Sequence, residues 1–288
     1  MNKPASADPA QAIAVRQGRY GHVMYTRSDM YIGKSLELYG EYSESEIQLF
    51  KLLVKPGNIV VEAGANMGGL TLPLARLVGP RGRVFAFEPQ RAMFNLLSGT
   101  LALNALMNVD VFRACAGKAA GVAGIPVHGY ALSGNLGNVS MKEANAPGTE
   151  PVPVIAIDSL KLNTLHFIKI DVEGAEAEVL EGARETIARC RPLLYLENNE
   201  RAKSPNLIGL IDSLGYRAWW HLAPLFNPDN FNKNPQNVFG NTITINLLCI
   251  PKEMKTEIKG LRPVSGTGDW WKPEEDVSTP PPAAPGPG

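Results

Sequence analysis

Apolar runs and stretches of helical spacing alternate along most of the chain. Seven short runs rich in Val, Ile, Leu and Phe are typical of buried strands and cover residues 58–63, 83–88, 109–115, 166–171, 193–197, 216–221 and 242–250. Amphipathic stretches predict helices over residues 43–54, 70–78, 91–106, 175–189 and 206–214. Strands that alternate with helices indicate an α/β fold with a largely parallel sheet. No helix separates the last two strands, so we expect them to pair antiparallel at one edge.

The two ends of the chain differ in composition from the middle. Residues 1–15 contain Ala, Pro and small polar residues without a clear period, which predicts disorder. Residues 263–288 form a Pro-rich, acidic tail. Residues 16–262 show neither a long linker nor a repeat, so we expect one domain. Two insertions, residues 117–153 and 226–241, are rich in Gly, Ser or Asn, and this composition fits either a substrate-binding wall or ordinary turns.

Composition and charge narrow the classes of function. The 28 Lys and Arg residues balance 28 Asp and Glu residues, so the net charge gives no reason to expect a nucleic acid as partner. No apolar stretch of about 20 residues predicts a membrane span, and the first residues lack the apolar core of a signal peptide. Cys115, Cys190 and Cys249 are far apart, which fits a reducing compartment. We therefore expect a cytoplasmic protein.

The segment VVEAGANMGG (60–69) carries the clearest chemical signal. A buried strand ends near Glu62, and the glycines that follow allow a sharp turn, a close approach of a ligand and a helix whose amide end faces it. The dinucleotide fingerprint requires a glycine where Asn66 stands, so a diphosphate fits poorly. Glu88 ends the next strand, 24 residues after Gly64, where a carboxylate can accept both hydroxyls of a ribose. The pattern favours an adenosyl cofactor such as S-adenosylmethionine over a nicotinamide dinucleotide.

Three motifs give the chain a resemblance to a known family. VVEAGANMGGLT, VFAFEPQ and IKIDVEGAEAEVLEGA, the last preceded by IDSL, resemble the motif series of the FkbM family of S-adenosylmethionine-dependent O-methyltransferases. The likeness extends from about Met24 to Ile250, and Glu62 stands where the family usually has Asp. It implies a Rossmann-like class I methyltransferase fold for residues 16–262. That fold has a seven-stranded, mostly parallel sheet whose last strand is antiparallel.

The resemblance also implies the residues of a cofactor site and the kind of substrate. It places the glycine turn around the methionine part of S-adenosylmethionine, Glu88 on the ribose and Asp171 at the pocket floor. The predicted cofactor-binding residues are Glu62, Gly64, Ala65, Asn66, Gly68, Glu88, Pro89 and Asp171. Typical substrates of the family are hydroxyls of sugars or polyketide-like natural products, so we expect a small-molecule acceptor.

The catalytic step leaves two routes open. An alcohol must lose its proton during methyl transfer, and Asp171 or His221, each at the end of a strand, can act as the base. Alternatively, Asp171, Glu197 and Asn198 end neighbouring strands and can supply oxygen ligands to Mg²⁺. The resemblance supports Asp171 more directly than a metal, so no metal site is predicted. A nicotinamide-dependent dehydrogenase and a non-catalytic Rossmann-like binding module are the alternative functions.

Overall fold

The computed structural model describes residues 12–130, 134–136 and 141–272. Residues 1–11 of the segment predicted to be disordered lie outside these ranges. Residues 273–288 of the predicted tail also lie outside them. None of the helices in the described ranges is long and apolar enough to cross a membrane.

Thirteen strands and seven α-helices form within those ranges. The strands are β1 (Ile13–Gly18), β2 (Gly21–Thr26), β3 (Ile59–Ala63), β4 (Arg83–Phe87), β5 (Val109–Phe112), β6 (Cys115–Ala116), β7 (Gly121–Pro126), β8 (Thr149–Ile155), β9 (Phe167–Ile170), β10 (Leu193–Glu197), β11 (Tyr216–Pro224), β12 (Ile243–Pro251) and β13 (Arg262–Pro263). The helices are α1 (Ile32–Tyr39), α2 (Glu44–Leu53), α3 (Thr71–Val78), α4 (Arg91–Leu103), α5 (Glu176–Glu181), α6 (Arg184–Cys190) and α7 (Ser204–Ser213), and residues Ile157–Leu160 form a 3₁₀ turn.

A single large sheet positions the functional groups. Its strand order is β5–β4–β3–β9–β10–β12–β11–β13, in which β3, β4, β5, β9 and β10 are parallel. The strand β12 is antiparallel to both β10 and β11. All seven predicted strands lie in this sheet, and the predicted class I methyltransferase fold is confirmed. The two-residue strand β13 adds an eighth strand that the apolar pattern does not predict.

Helices cover both faces of the sheet, which explains why its central strands are apolar throughout. On β3, Val60 packs in a cluster with residues of α2 and α3, whereas Val61 packs with residues of α5, α6 and α7. Both valines are fully buried. Burial of such a side chain contributes about 1.5–3 kcal/mol to stability. A strand that is buried on both faces therefore has an almost continuous apolar sequence.

The hairpin β1–β2 corrects the predicted N-terminal boundary. Strand β1 begins at Ile13, inside the segment predicted to be disordered, and pairs with β2 from Ile13 opposite Thr26 to Gly18 opposite Gly21. Ala14, Val23 and Tyr25 are buried in a cluster with residues of α1 and α4. The hairpin is ordered because this cluster buries it, a long-range effect that the local sequence does not reveal.

Two further elements differ from the predicted ones. The predicted helix over residues 175–189 is divided into α5 and α6 at Gly182, where an added Cβ would lie 2.0 Å from the carbonyl oxygen of Gly117. The insertion at residues 117–153 contains β7 and most of β8, which form a small sheet with β6 in the order β6–β8–β7. Part of this insertion therefore belongs to a small sheet rather than to turns.

A candidate active site at the carboxyl ends of the strands

An acidic cavity of about 280 Å³ opens where the parallel strands end. Open α/β sheets bind ligands at this edge. Six carboxylates line it, namely Glu46, Glu62, Glu88, Asp171, Glu173 and Glu197. Among the described residues that line it, Lys169 is the only cation. The cavity is therefore suited to a ligand that carries positive charge and hydroxyl groups.

The turn after β3 forms one wall of this cavity. The backbone N–H groups of Gly64 and Ala65 both donate to the carbonyl oxygen of Phe87, which ties the turn to the end of β4. Gly64 has a φ of +82°, and a Cβ at this position would lie 1.7 Å from the carbonyl oxygen of Asp171. Glycine is therefore required because the turn passes directly against the backbone after β9. Gly68 also has a positive φ, +91°, and a Cβ there would lie 2.9 Å from Cδ1 of the Leu97 side chain.

Glu88 is held in place by two backbone amides. Its carboxylate accepts hydrogen bonds from the N–H groups of Asn66 and Gln90, each at 2.8 Å. Only 3% of the residue is exposed, and burial raises the pKa of Glu88 to about 7 although the two amides favour the ionised form. Pro89 and Cys115 line a small recess beside Glu88 whose walls are largely apolar. A carboxylate between a polar cavity and such a recess can bind a ribose whose base enters the recess.

Glu62 and Lys169 are two buried residues of opposite charge at the base of the turn. The two residues are opposite each other in the register of β3 and β9. The hydroxyl of Thr71 donates to Glu62 Oε2 at 2.6 Å, whereas the buried Oε1 has no hydrogen-bond partner among the described residues. Burial raises the pKa of Glu62. Lys169 was not predicted as a site residue; the available signal is a lysine within the apolar run HFIKID.

Asp171 lies between this pair and a second group of carboxylates. Lys169 Nζ donates to Asp171 Oδ2 at 3.1 Å. On the other side, single oxygens of Asp171, Glu173 and Glu197 all lie within 4.8 Å of one another. Burial, followed by the charges of Asp171 and Glu173, raises the pKa of Glu197 well above its ordinary value. Burial likewise raises the pKa of Glu173 to about 7.

The structure changes the set of residues that could hold a metal ion. Asp171 and Glu197 come together as the strand ends predict, but the side chain of Asn198 donates to Ser204 Oγ at 2.8 Å and does not line the cavity. Glu173 takes the third position instead. Its φ of +53° places it in the turn after β9, and no strand pattern indicates that geometry. Chelation tests whether turnover depends on Mg²⁺.

His221 is not brought to the cavity with Asp171. It is 8% exposed, and its Nδ1 lies 2.7 Å from the hydroxyl of Tyr195 in a buried hydrogen bond. Burial lowers the pKa of His221. It belongs to β11, one strand beyond Asn246 of β12, and Asn246 is the residue that lines the cavity. In this position the ring is held by Tyr195 in the core and does not face the acceptor.

The asparagines of the 226–241 insertion mostly stabilise the insertion itself. Asn230 donates to the carbonyl oxygens of Asn227 and Asn234, and Asn237 donates to that of Gly240. The rings of Phe226 and Phe239 pack against Tyr39 of α1. The composition therefore reflects turn chemistry, one of the two interpretations it allows. The segment that follows it contributes Thr242, Ile243 and Thr244 to the cavity.

Sequence similarity agrees with the predicted family. Residues 62–218 match the methyltransferase FkbM domain family. Methyltransferase sdnD of Sordaria araneosa is 28% identical over 45% of this chain and 62% of its own length. The tRNA (adenine(58)-N(1))-methyltransferase catalytic subunit TRM61 of Cryptococcus neoformans is 36% identical over 26% of this chain and 18% of its own length. The chain thus spans less than two thirds of either relative.

One solved structure bears the same family name. The crystal structure of methyltransferase FkbM from Methylobacillus flagellatus KT matches 71% of this chain and 50% of its own, with 19% identity and a TM-score of 0.45.

Proposed function

The chain belongs to the FkbM methyltransferase family, and from that premise we propose that it transfers a methyl group from S-adenosylmethionine to a hydroxyl of a saccharide or natural-product small molecule. The observation that carries this proposal is the position of Asp171. Its side chain is 37% exposed and lies between the glycine turn on one side and Glu197 on the other. A carboxylate there can meet both a cofactor on the turn and an acceptor beside it.

The residues around the turn fit S-adenosylmethionine. Glu88 offers a preorganised carboxylate for the two ribose hydroxyls, since backbone amides already fix its orientation. The buried Glu62 Oε1, which lacks a partner among the described residues, suits the ammonium group at the amino-acid end. When bound, the cofactor supplies a methyl group that its sulfonium already activates.

The chain's own residues then have three tasks. They align the acceptor oxygen, exclude water and take the hydroxyl proton at or before the transition state. Asp171 is the group we assign to the proton, because Lys169 orients one of its oxygens and its partly exposed side chain lines the cavity. Glu197 and Glu173 border the same space and can accept hydrogen bonds from further hydroxyls of a polyol.

The charge of the cavity favours a small neutral acceptor over a nucleic acid. Phosphate groups bind Lys and Arg, whereas the described lining contains six carboxylates and a single lysine. The name of the TRM61 relative refers to a tRNA, but its match extends over only 26% of this chain. The non-catalytic alternative is disfavoured because Glu62, Glu88 and Asp171 meet in one cavity.

Calorimetry and a labelled-methyl assay test the proposal in two steps. The protein should bind S-adenosylmethionine and S-adenosylhomocysteine but not NAD. With methyl-labelled S-adenosylmethionine, label should then pass to members of a panel of glycosides and polyhydroxylated natural products rather than to tRNA. Binding of NAD alone would restore the dehydrogenase alternative, and cofactor binding without transfer to any acceptor would support a binding module.

A further inference from the structure

Lys169 is a buried cation that lines the cavity, and beyond its contact with Asp171 the proposed function gives it no role. We propose that Lys169 binds the carboxylate at the amino-acid end of the cofactor, while its strand neighbour Glu62 binds the ammonium. This inference rests on the proposed function and adds to it the residue that recognises a negatively charged group. It also fixes the direction in which the cofactor lies along the turn.

The position of Lys169 makes its side chain part of the turn. Its Nζ donates to the carbonyl oxygen of Gly64 at 3.2 Å and to Asp171 Oδ2 at 3.1 Å, and 3% of the residue is exposed. A lysine ammonium has three N–H donors. Two are accounted for by these contacts, so one donor remains for a ligand in the cavity that Lys169 lines.

Charge complementarity selects the carboxylate as that ligand group. S-adenosylmethionine carries a sulfonium, an ammonium and one carboxylate, so only the carboxylate is repelled by an acidic cavity. Among the described lining residues, Lys169 alone can offset that repulsion. Its pKa is raised because the charges of Asp171, Glu62 and Glu46 outweigh the opposing effect of burial. These charges favour the protonated form of the side chain.

Glu62 supplies the complementary contact. It is directly opposite Lys169 in the β3–β9 register, and neighbouring strands are about 4.8 Å apart. The ammonium and carboxylate groups share one carbon, so side chains from two neighbouring strands can reach both of them. Glu88 is tied by Asn66 to the other end of the turn, so the ribose and the amino-acid end are held at separate positions.

A pair of ligands that differ only in the amino-acid end tests this assignment. S-adenosylhomocysteine contains that end, whereas 5′-methylthioadenosine retains the adenosyl group without it. We expect Lys169→Met to weaken S-adenosylhomocysteine binding roughly tenfold to a hundredfold, as for loss of a charge-assisted hydrogen bond, and to change 5′-methylthioadenosine affinity less than about threefold. Lys169→Arg should recover part of the loss. Lys118→Met, at an exposed pair with Glu181, is the control and should change neither affinity.

Each outcome bears on the inference separately from the function. Equal losses for the two ligands would mean that Lys169 only supports the turn, and an unchanged S-adenosylhomocysteine affinity would also overturn the assignment. If circular dichroism shows that the Met and Arg variants do not fold, the wild-type protein still decides. Decarboxylated S-adenosylhomocysteine should then bind it at least about tenfold more weakly than the parent compound, and equal binding would overturn the inference. Failure of the wild type to bind S-adenosylhomocysteine at all would instead contradict the proposed function.

Discussion

The two ends of the acidic cavity are built in different ways. At the turn end, Gly64 and Asn66 follow one strand directly, and the Glu88 carboxylate is satisfied by two backbone amides. At the acceptor end, Asp171, Glu173 and Glu197 bring three carboxylates within 4.8 Å, and a buried oxygen of Glu197 lacks a partner among the described residues. Glu62 Oε1 at the turn end also lacks a partner among the described residues, so the two ends differ in the fixed Glu88 carboxylate at one and the three clustered carboxylates at the other. A preorganised carboxylate suits a constant ligand, whereas clustered carboxylates depend on their ligand to complete their contacts.

Removal of the glycine at the turn end should have the largest effect. In Gly64→Ala the new Cβ meets the carbonyl oxygen of Asp171 at 1.7 Å, so the turn must move away from β9. We expect S-adenosylhomocysteine binding to become undetectable by calorimetry and the unfolding free energy to fall by at least about 2 kcal/mol.

Gly57→Ala is the matched control for that substitution. Gly57 also has a positive φ, +86°, but its added Cβ would meet nothing within 4 Å. The Gly57→Ala protein should retain binding, and backbone strain should lower its unfolding free energy by only about 1 kcal/mol. If Gly64→Ala bound the ligand normally, the close contact between the turn and Asp171 would not be needed for the site.

At the acceptor end, Asp171→Asn should affect turnover more than binding. The substitution keeps the shape but removes the proton acceptor, and general base catalysis contributes about 10²–10⁴-fold. We expect kcat and kcat/KM to fall together by about a hundredfold, with S-adenosylhomocysteine affinity changed far less. Steady-state kinetics and calorimetry on the same preparation separate the two. A loss of S-adenosylhomocysteine affinity with kcat unchanged would place Asp171 in cofactor binding alone.

Chelation distinguishes the two routes at the acceptor end. If Asp171 takes the proton directly, EDTA should leave turnover unchanged, and the Asp171→Asn variant should not respond to added Mg²⁺. A loss of turnover with EDTA that Mg²⁺ restores would show instead that a metal on Asp171, Glu173 and Glu197 activates the hydroxyl.

Substitution of Glu88 tests whether the turn end of the cavity is as preorganised as its hydrogen bonds indicate. Glu88→Ala removes the proposed ribose contacts and also leaves the amides of Asn66 and Gln90 without an acceptor. We expect S-adenosylhomocysteine affinity to fall roughly tenfold to a hundredfold. Glu88→Gln keeps one acceptor oxygen, so its affinity for S-adenosylhomocysteine should fall less. An unchanged affinity in a folded Glu88→Ala protein would remove Glu88 from the cofactor site.

The pH dependence of binding is a milder test of the same residue. Burial raises the pKa of Glu88 from 4.5 to about 7, and ribose hydroxyls donate to the ionised form. S-adenosylhomocysteine affinity should therefore rise between pH 6 and 8, by no more than about tenfold, and Glu88→Gln should flatten the curve. In the unliganded protein this group's contribution to the unfolding free energy is present below pH 4.5 and is lost as the pH rises to about 7. A pH-independent affinity would contradict the assignment.

How far the sequence predicts the site also differs between the two ends. The turn end is predictable because its residues belong to contiguous motifs at strand ends. The acceptor end depends on side-chain direction and long-range register. Glu197 and Asn198 are adjacent, and side chains alternate direction along a strand, so only Glu197 faces the cavity. Lys169 and Asn246 lie at the cavity because their strands pair them with Glu62 and Glu197, respectively. No local sequence pattern specifies this register.

Substitution of His221 should have the smallest effect on turnover, and it tests whether β11 contributes to the acceptor end of the cavity. The ring is buried against the hydroxyl of Tyr195 and does not line the cavity. We expect His221→Gln to change kcat by less than about threefold and to lower the unfolding free energy by about 1 kcal/mol through the lost hydrogen bond. Thermal denaturation and kinetics at saturating cofactor measure the two effects. A kcat loss comparable to that of Asp171→Asn would mean that His221 takes part in proton transfer after all, and that β11 reaches the acceptor in the working enzyme.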